Sequence, residues 1–220
     1  PHPRAAACIE IAMSRFRVLL TFFLLAGVAA ADDYHTEPAG PPPPEAAALA
    51  AALTPEGVKV IRPDGNILAE FWFARQVGPE GTPEQNATWG IAHGTFLGVV
   101  RVPSRWSDRR GQLIRPGVYT MRISFFPMNG DHQGVAPQRD FAILSPIDID
   151  KDASARPSFD ALMDMSRKAS RTPHPLVLSL WKESGPAQSG ITAEGESDQV
   201  LHTTIGGTPV ALIVYGRADH

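Results

Sequence analysis

The sequence has almost no cysteine: Cys8 is the only one among 220 residues. A chain with one cysteine forms no internal disulfide, so an exported form must be stabilised by a sizeable hydrophobic core. No cysteine follows the apolar N-terminal segment, and a lipid-anchored lipoprotein is therefore not expected.

The chain also lacks an excess of basic residues and a motif that specifies a reaction. It has 20 Lys and Arg against 23 Asp and Glu, whereas nucleic-acid binding favours strongly basic faces. Ser179 and Lys182 match an S-x-x-K pattern, but they fall in a predicted strand and would point to opposite faces. No catalytic residue is assigned, which favours a non-enzymatic role.

No apolar run is long enough to span a membrane. The longest N-terminal run, Val18–Ala31, has 14 residues, and a spanning helix needs about 20. Arg15 and Arg17 precede the run and small residues end it, which predicts a signal peptide over residues 13–31. Residues 1–12 are then interpreted as upstream over-translation. We expect a secreted or periplasmic protein without membrane insertion after cleavage.

The rest of the chain divides into a leader and one domain. Residues 32–44 end in four prolines and predict an extended, Pro-rich leader. Residues 45–220 are predicted to form a single domain. Its Ala-rich start, Glu45–Leu53, favours a helix that must dock because it is short.

The clearest strand signal lies between Pro116 and Pro146. Alternating apolar residues from Tyr119 to Phe125 predict one buried face, with Arg122 on the face toward water. The remaining segments with strand character are Val58–Ile61, Ile67–Phe73, Thr95–Val102, Phe141–Leu144, Leu176–Lys182, Gln199–Ile205 and Val210–Tyr215. With one clear helix near Ser158–Ala169, they predict an all-β fold, an antiparallel β-sandwich of about eight strands with one or two short helices.

Four short motifs resemble a group of exported bacterial β-sandwich proteins with no established activity. They are Gly130-Asp131-His132, Ala136-Pro137, Arg139-Asp140-Phe141 and Thr172-Pro173-His174-Pro175. The resemblance covers most of the chain from about Thr54. It implies an exported β-rich domain and no catalytic residue.

Histidines in loops suggest a metal site. His93, His132 and His174, with Asp131, offer imidazole and carboxylate ligands that suit zinc or copper. Their spacing matches no known ligand pattern, and the alternative is that each histidine braces its own loop.

Other polar residues are assigned less specific roles. His202, in a strand beside two threonines, is expected on a solvated face. Asp148, Asp150 and Asp152 resemble the start of a calcium loop, but Ala153 and Phe159 replace the required Gly and Glu. A solvated acidic linker is the favoured interpretation.

An arginine-rich loop is the second candidate site. Arg105, Arg109 and Arg110 with Trp106 could hold an anionic or sugar ligand, because guanidinium groups bind carboxylates and indole rings stack. The alternative is a solvated loop in which Trp106 folds back on the core. We therefore expect an exported β-sandwich that binds a small ligand, glycan or protein through its loops, with a metal-binding protein as the alternative.

Overall fold

A computed structural model describes residues 33–128 and 138–218. This part contains twelve strands: β1 (His35–Gly40), β2 (Gly57–Ile61), β3 (Ile67–Phe73), β4 (Phe96–Val102), β5 (Trp106–Ser107), β6 (Leu113–Ile114), β7 (Gly117–Phe125), β8 (Asp140–Pro146), β9 (Leu176–Lys182), β10 (Gly190–Glu194), β11 (Asp198–Ile205) and β12 (Thr208–Tyr215). A 3₁₀ helix spans Pro44–Ala52, and the α-helix α1 spans Phe159–Ser170. The predicted signal peptide, residues 1–12, Asp131 and His132 lie outside the described residues.

Ten of the strands form one antiparallel sheet that is nearly closed into a barrel. Their order is β1-β2-β3-β4-β7-β8-β9-β12-β11-β10, and β5 and β6 pair separately. The Tyr34 ring, beside β1, stacks on the Tyr215 ring at the end of β12, with centroids 5.4 Å apart. The prediction of a mostly antiparallel β fold is confirmed.

The sheet is continuous because β9 pairs with two neighbours. Residues Leu176–Ser179 pair with β8, and residues Leu180–Lys182 pair with β12. The predicted sandwich would have two separate sheets, whereas in this structure β9 joins the strands on either side of it.

All eight predicted strand segments fall on observed strands, and the structure adds four more: β1, β5, β6 and β10. Strand β1 lies in the segment predicted as a Pro-rich leader, and it pairs with β2 rather than forming a tether. The predicted short helix is of the 3₁₀ type, and it docks through the buried Ala46 and Leu49.

The core face of β7 agrees with the alternation in the sequence. Tyr119, Met121, Ile123 and Phe125 are all buried in the main hydrophobic core. The prediction that the opposite face of β7 meets water is wrong, because Arg122 is 0% exposed.

Arg122 is buried by the segment that follows β8. Its guanidinium donates to both carboxylate oxygens of Asp150, at 2.8 and 2.7 Å. It also donates to the carbonyl oxygens of Gly94, Asp152 and Ala155, at 2.9, 2.6 and 2.8 Å. All five N–H groups of the side chain are therefore engaged. The interpretation of Asp148–Asp152 as a solvated linker is wrong for Asp150, which is 5% exposed.

Helix α1, predicted near Ser158–Ala169, is observed over Phe159–Ser170. The Ser158 hydroxyl accepts a hydrogen bond from the Ala161 amide at 3.3 Å, and Arg171 ends the helix in the left-handed conformation. Leu162 and Met163 pack on side chains of β8 and β9. Among the described residues, no helix combines the length and hydropathy needed to cross a bilayer.

A buried carboxylate fixes the long loop before β4. Asp140, at the start of β8, accepts hydrogen bonds from the amides of Thr88 and Trp89 at 2.8 and 3.1 Å. Burial raises the pKa of Asp140, and these hydrogen bonds oppose the rise. The loop that leads to His93 is thereby attached to the sheet.

Candidate functional site

A groove lies beside α1, over the outer side of β8 and β9, and we call it the α1 groove. Its volume is about 230 Å³. Its lining residues are Arg110, Ser124, Phe125, Phe126, Pro127, Phe141, Ile143, Phe159, Met163, Arg167, Pro173, His174, Pro175 and Val177. Strand ends, the helix and two loops therefore meet in one concave surface, the usual setting of a small-molecule site.

The floor of the α1 groove is apolar because β8, β9 and α1 supply hydrocarbon and aromatic side chains to it. Phe141 and Ile143 of β8 and Val177 of β9 pack against Met163 of α1. The Phe126 ring lies 5.5 Å from the Phe141 ring, measured between centroids. Helix residue Phe159 remains 42% exposed, so an aromatic face is left open to solvent.

One wall of the groove, Thr172–Pro175, is held by hydrogen bonds from three side chains. Arg110 Nη2 donates to the Pro175 carbonyl at 2.7 Å, and Arg167 Nε donates to the Pro173 carbonyl at 2.9 Å. Gln112 Nε2 donates to the carbonyls of His174 and Pro175, each at 3.1 Å. Two prolines already restrict this segment, and the hydrogen bonds give it a fixed position.

The polar part of the lining is basic. It includes Arg110, Arg167 and His174 and no aspartate or glutamate. Arg110 is paired with the buried Asp108 at 2.6 Å, and Arg167 with the exposed Asp164 at 2.8 Å. Within the described residues, Arg110 Nη1, Arg167 Nη2 and the His174 ring have no hydrogen-bond partner. These groups remain available to an anion.

The structure separates the residues of the predicted arginine-rich site. Trp106 is 4% exposed, and its indole N–H donates to the Val214 carbonyl at 2.8 Å. The ring is therefore part of the core and has no free face for a ligand to stack on. Arg109 is bonded to both carboxylate oxygens of Asp198, at 3.0 Å each. Arg105 is exposed and does not line the α1 groove. Of the three arginines in the predicted site, only Arg110 lines that groove.

The predicted metal ligands are not gathered in the described part of the chain. His174 lines the α1 groove, whereas His93 lines a neighbouring cavity with Glu84, Arg139 and Phe159. Residues 33–128 and 138–218 contain no group of three potential metal ligands, and His132 and Asp131 fall outside these ranges. The zinc or copper hypothesis thus gains no support here.

His93 is held against the start of α1. Its ring centroid lies 5.8 Å from that of Phe159, and its Nε2 atom is buried without a hydrogen-bond partner among the described residues. Burial lowers the pKa of His93, with a backbone hydrogen bond at Ser158 opposing the shift.

His202 has a role that the sequence did not reveal. It is 6% exposed rather than solvated, because β10 pairs with β11 beside it. Its Nδ1 lies 2.9 Å from Glu183 Oε1, and its Nε2 lies 2.7 Å from Thr192 Oγ1. The polar face of β10 gave no periodic signal, so neither the strand nor its contact with His202 was predicted.

Comparisons with protein-family models, with curated proteins and with solved structures found no match. The function must therefore be inferred from the chemistry of the α1 groove.

Proposed function

We propose that this protein is an exported, non-enzymatic domain that binds a small amphiphilic anion in the α1 groove. One observation carries the proposal: the lining joins an apolar floor to three basic side chains and contains no carboxylate. A ligand with an apolar body and a carboxylate head matches both parts.

The apolar body would lie on the open part of the floor. Phe159 is half exposed, and covering its ring with a ligand removes apolar surface from water, which is favourable. Pockets for drug-sized ligands have volumes of about 300–1,000 Å³. The volume of about 230 Å³ favours a smaller ligand, such as a medium-chain fatty acid.

The head group would meet the unengaged nitrogens of Arg110 and Arg167. Hydrogen bonds between guanidinium and carboxylate are charge-assisted and stronger than neutral ones. Because Asp108 and Pro175 already fix the Arg110 side chain, little side-chain freedom is lost on binding.

Two amphiphiles of equal chain length and opposite charge test the proposal. In calorimetric titrations we expect octanoate to bind and octylamine not to bind. Arg167→Gln should weaken octanoate binding about tenfold, since a hydrogen bond to a charged group contributes about 1.5–3 kcal/mol.

Lys168→Gln is the matched control, because it removes the same charge from the next residue of α1 and lies outside the groove. It should leave octanoate binding unchanged. Equal binding of both amphiphiles, or equal effects of the two substitutions, would contradict the proposal.

Export is supported by the pattern of residues 13–31, with basic residues, an apolar run and small residues at its end. N-terminal sequencing of the protein recovered outside the cytoplasm should give a start near Asp32. Recovery of the exported protein with Met13–Ala31 still attached would refute this part.

A further inference from the structure

A second concave surface lies between the loops after β3 and after β8, and we call it the Arg75–Arg156 cleft. Its volume is about 510 Å³. Its lining includes Arg75, Gln76, Ser154 and Arg156. None of its lining residues lines the α1 groove, and its lining also contains two arginines and no carboxylate.

The first arginine, Arg75, comes directly after β3 and the bridge residue Ala74. Its Nε donates to the Leu53 carbonyl, and its backbone amide donates to the Ala52 carbonyl at 2.9 Å. These bonds fix the base of the side chain. Neither terminal nitrogen of Arg75 has a partner among the described residues.

The second arginine, Arg156, comes from the segment that follows β8. Its Nη1 makes contacts of 3.1–3.4 Å with carbonyls of its own turn, and its Nε and Nη2 have no partner in the described part of the chain. Arg156 forms no ion pair with the neighbouring Asp152, one of whose carboxylate oxygens accepts from the Ser154 amide and hydroxyl at 2.8 and 2.6 Å. Arg75 and Arg156 therefore form no ion pair with a described carboxylate.

The wall that carries Arg156 is held in place from beneath. The buried Arg122 donates to the carbonyls of Asp152 and Ala155, on either side of Ser154. A binding group on a fixed loop loses little conformational freedom when a ligand arrives.

We propose that the Arg75–Arg156 cleft binds a compact anion that carries at least two negative charges, as a phosphate monoester or a tricarboxylate does. Two guanidinium groups that line one cleft can each form a charge-assisted pair with an oxygen of such a ligand. Gln76 and Ser154 add polar groups to the lining, which suits a polar ligand better than the amphiphile proposed for the α1 groove. This inference does not depend on the α1 groove.

Calorimetric titrations with glucose 6-phosphate and with citrate test the cleft, with glucose as the uncharged control and sodium chloride to match ionic strength. We expect at least one of the two anions to bind and glucose not to bind. Which anion binds more tightly distinguishes a phosphate ligand from a carboxylate ligand. Arg156→Gln and Arg75→Gln should each weaken binding at least about tenfold.

Lys151→Gln is the control for general electrostatic attraction, because this exposed residue lies on the same segment but outside the cleft. It should leave the affinity unchanged. Arg156 is exposed and bonds only within its own turn, so its variant is expected to fold, and equal thermal midpoints would verify this. Absence of binding by both anions, or equal losses in Arg156→Gln and Lys151→Gln, would overturn the proposal.

Discussion

Arg122 and Asp150 form a buried ion pair, with 2.7 Å between Nη2 and Oδ1 and side chains that are 0% and 5% exposed. The pair joins the outer face of β7 to the segment after β8. Each group would be costly to bury alone, and the remaining donors of Arg122 are used on backbone carbonyls.

We expect Arg122→Leu to lower the free energy of unfolding by about 3–5 kcal/mol, because Asp150 would be left buried without its partner. Urea unfolding measures the loss. Replacing both residues, in Arg122→Leu with Asp150→Leu, should cost less than the sum of the single changes. Lys168→Gln, at an exposed position of α1, serves as control and should stay within about 0.5 kcal/mol. A similarly small effect of Arg122→Leu would mean that the pair does not contribute to stability.

Two phenylalanine-to-alanine changes compare a buried ring and an exposed ring, both of which line the α1 groove. Phe125 is 6% exposed, so Phe125→Ala should cost about 3–5 kcal/mol through lost burial and a cavity. Phe159 is 42% exposed, so Phe159→Ala should cost about 1 kcal/mol or less while weakening octanoate binding. Chemical denaturation of both variants measures the difference. Equal losses of unfolding free energy in the two variants would contradict the exposed position of the Phe159 ring.

His202→Ala should lower the free energy of unfolding by about 1–3 kcal/mol, because Glu183 would lose its hydrogen-bond partner in a buried setting. His174→Ala is the control, since its exposed ring has no partner among the described residues and the change should stay within about 0.5 kcal/mol. Faster amide hydrogen exchange in β10 of His202→Ala than in the wild type would show that the loss of stability lies at this strand. A variant as stable as the wild type would contradict a bracing role for His202.

The lowered pKa of His93 predicts a pH dependence of stability. In the unfolded chain this imidazole gains a proton near its ordinary pKa of 6.5, and in the folded protein it does so only at a lower pH. Between these two values the unfolded state binds more protons, so the His93 contribution to stability falls as the pH decreases through this window.

Urea melts of wild type and His93→Gln at about pH 8 and about pH 5 measure this contribution. The difference in the free energy of unfolding between the two proteins should shift in favour of the variant at the lower pH. A difference that is the same at both pH values would show that burial does not affect the His93 proton.

The sequence predicted the strands that carry an apolar face, and the reason is visible in β7, where alternate side chains enter the core. It did not predict β1 and β10, since these edge strands are held mainly by backbone pairing and their polar residues show no apolar periodicity. Pro38 lies in β1, and proline is tolerated in such edge strands.

The candidate site was predictable only in part, because the sequence does not show which distant residues come together in the fold. Arg110 and His174 were singled out separately, but no spacing in the sequence indicates that they line one groove. The assignment of Arg122 to solvent failed because alternation identifies the two faces of a strand and does not reveal that a distant loop covers the second one. His202 was misassigned because its covering strand, β10, was not recognised.

The divided pairing of β9 has a consequence for how the domain loses its structure. Of its two neighbours in the sheet, β8 pairs with Leu176–Ser179 and β12 pairs with Leu180–Lys182. The seven residues of β9 thus carry the strand pairing that joins the two parts of the described sheet. Local melting of β9 would break this ladder, and the two parts would then be held together by the shared hydrophobic core and by contacts such as the Tyr34–Tyr215 stack.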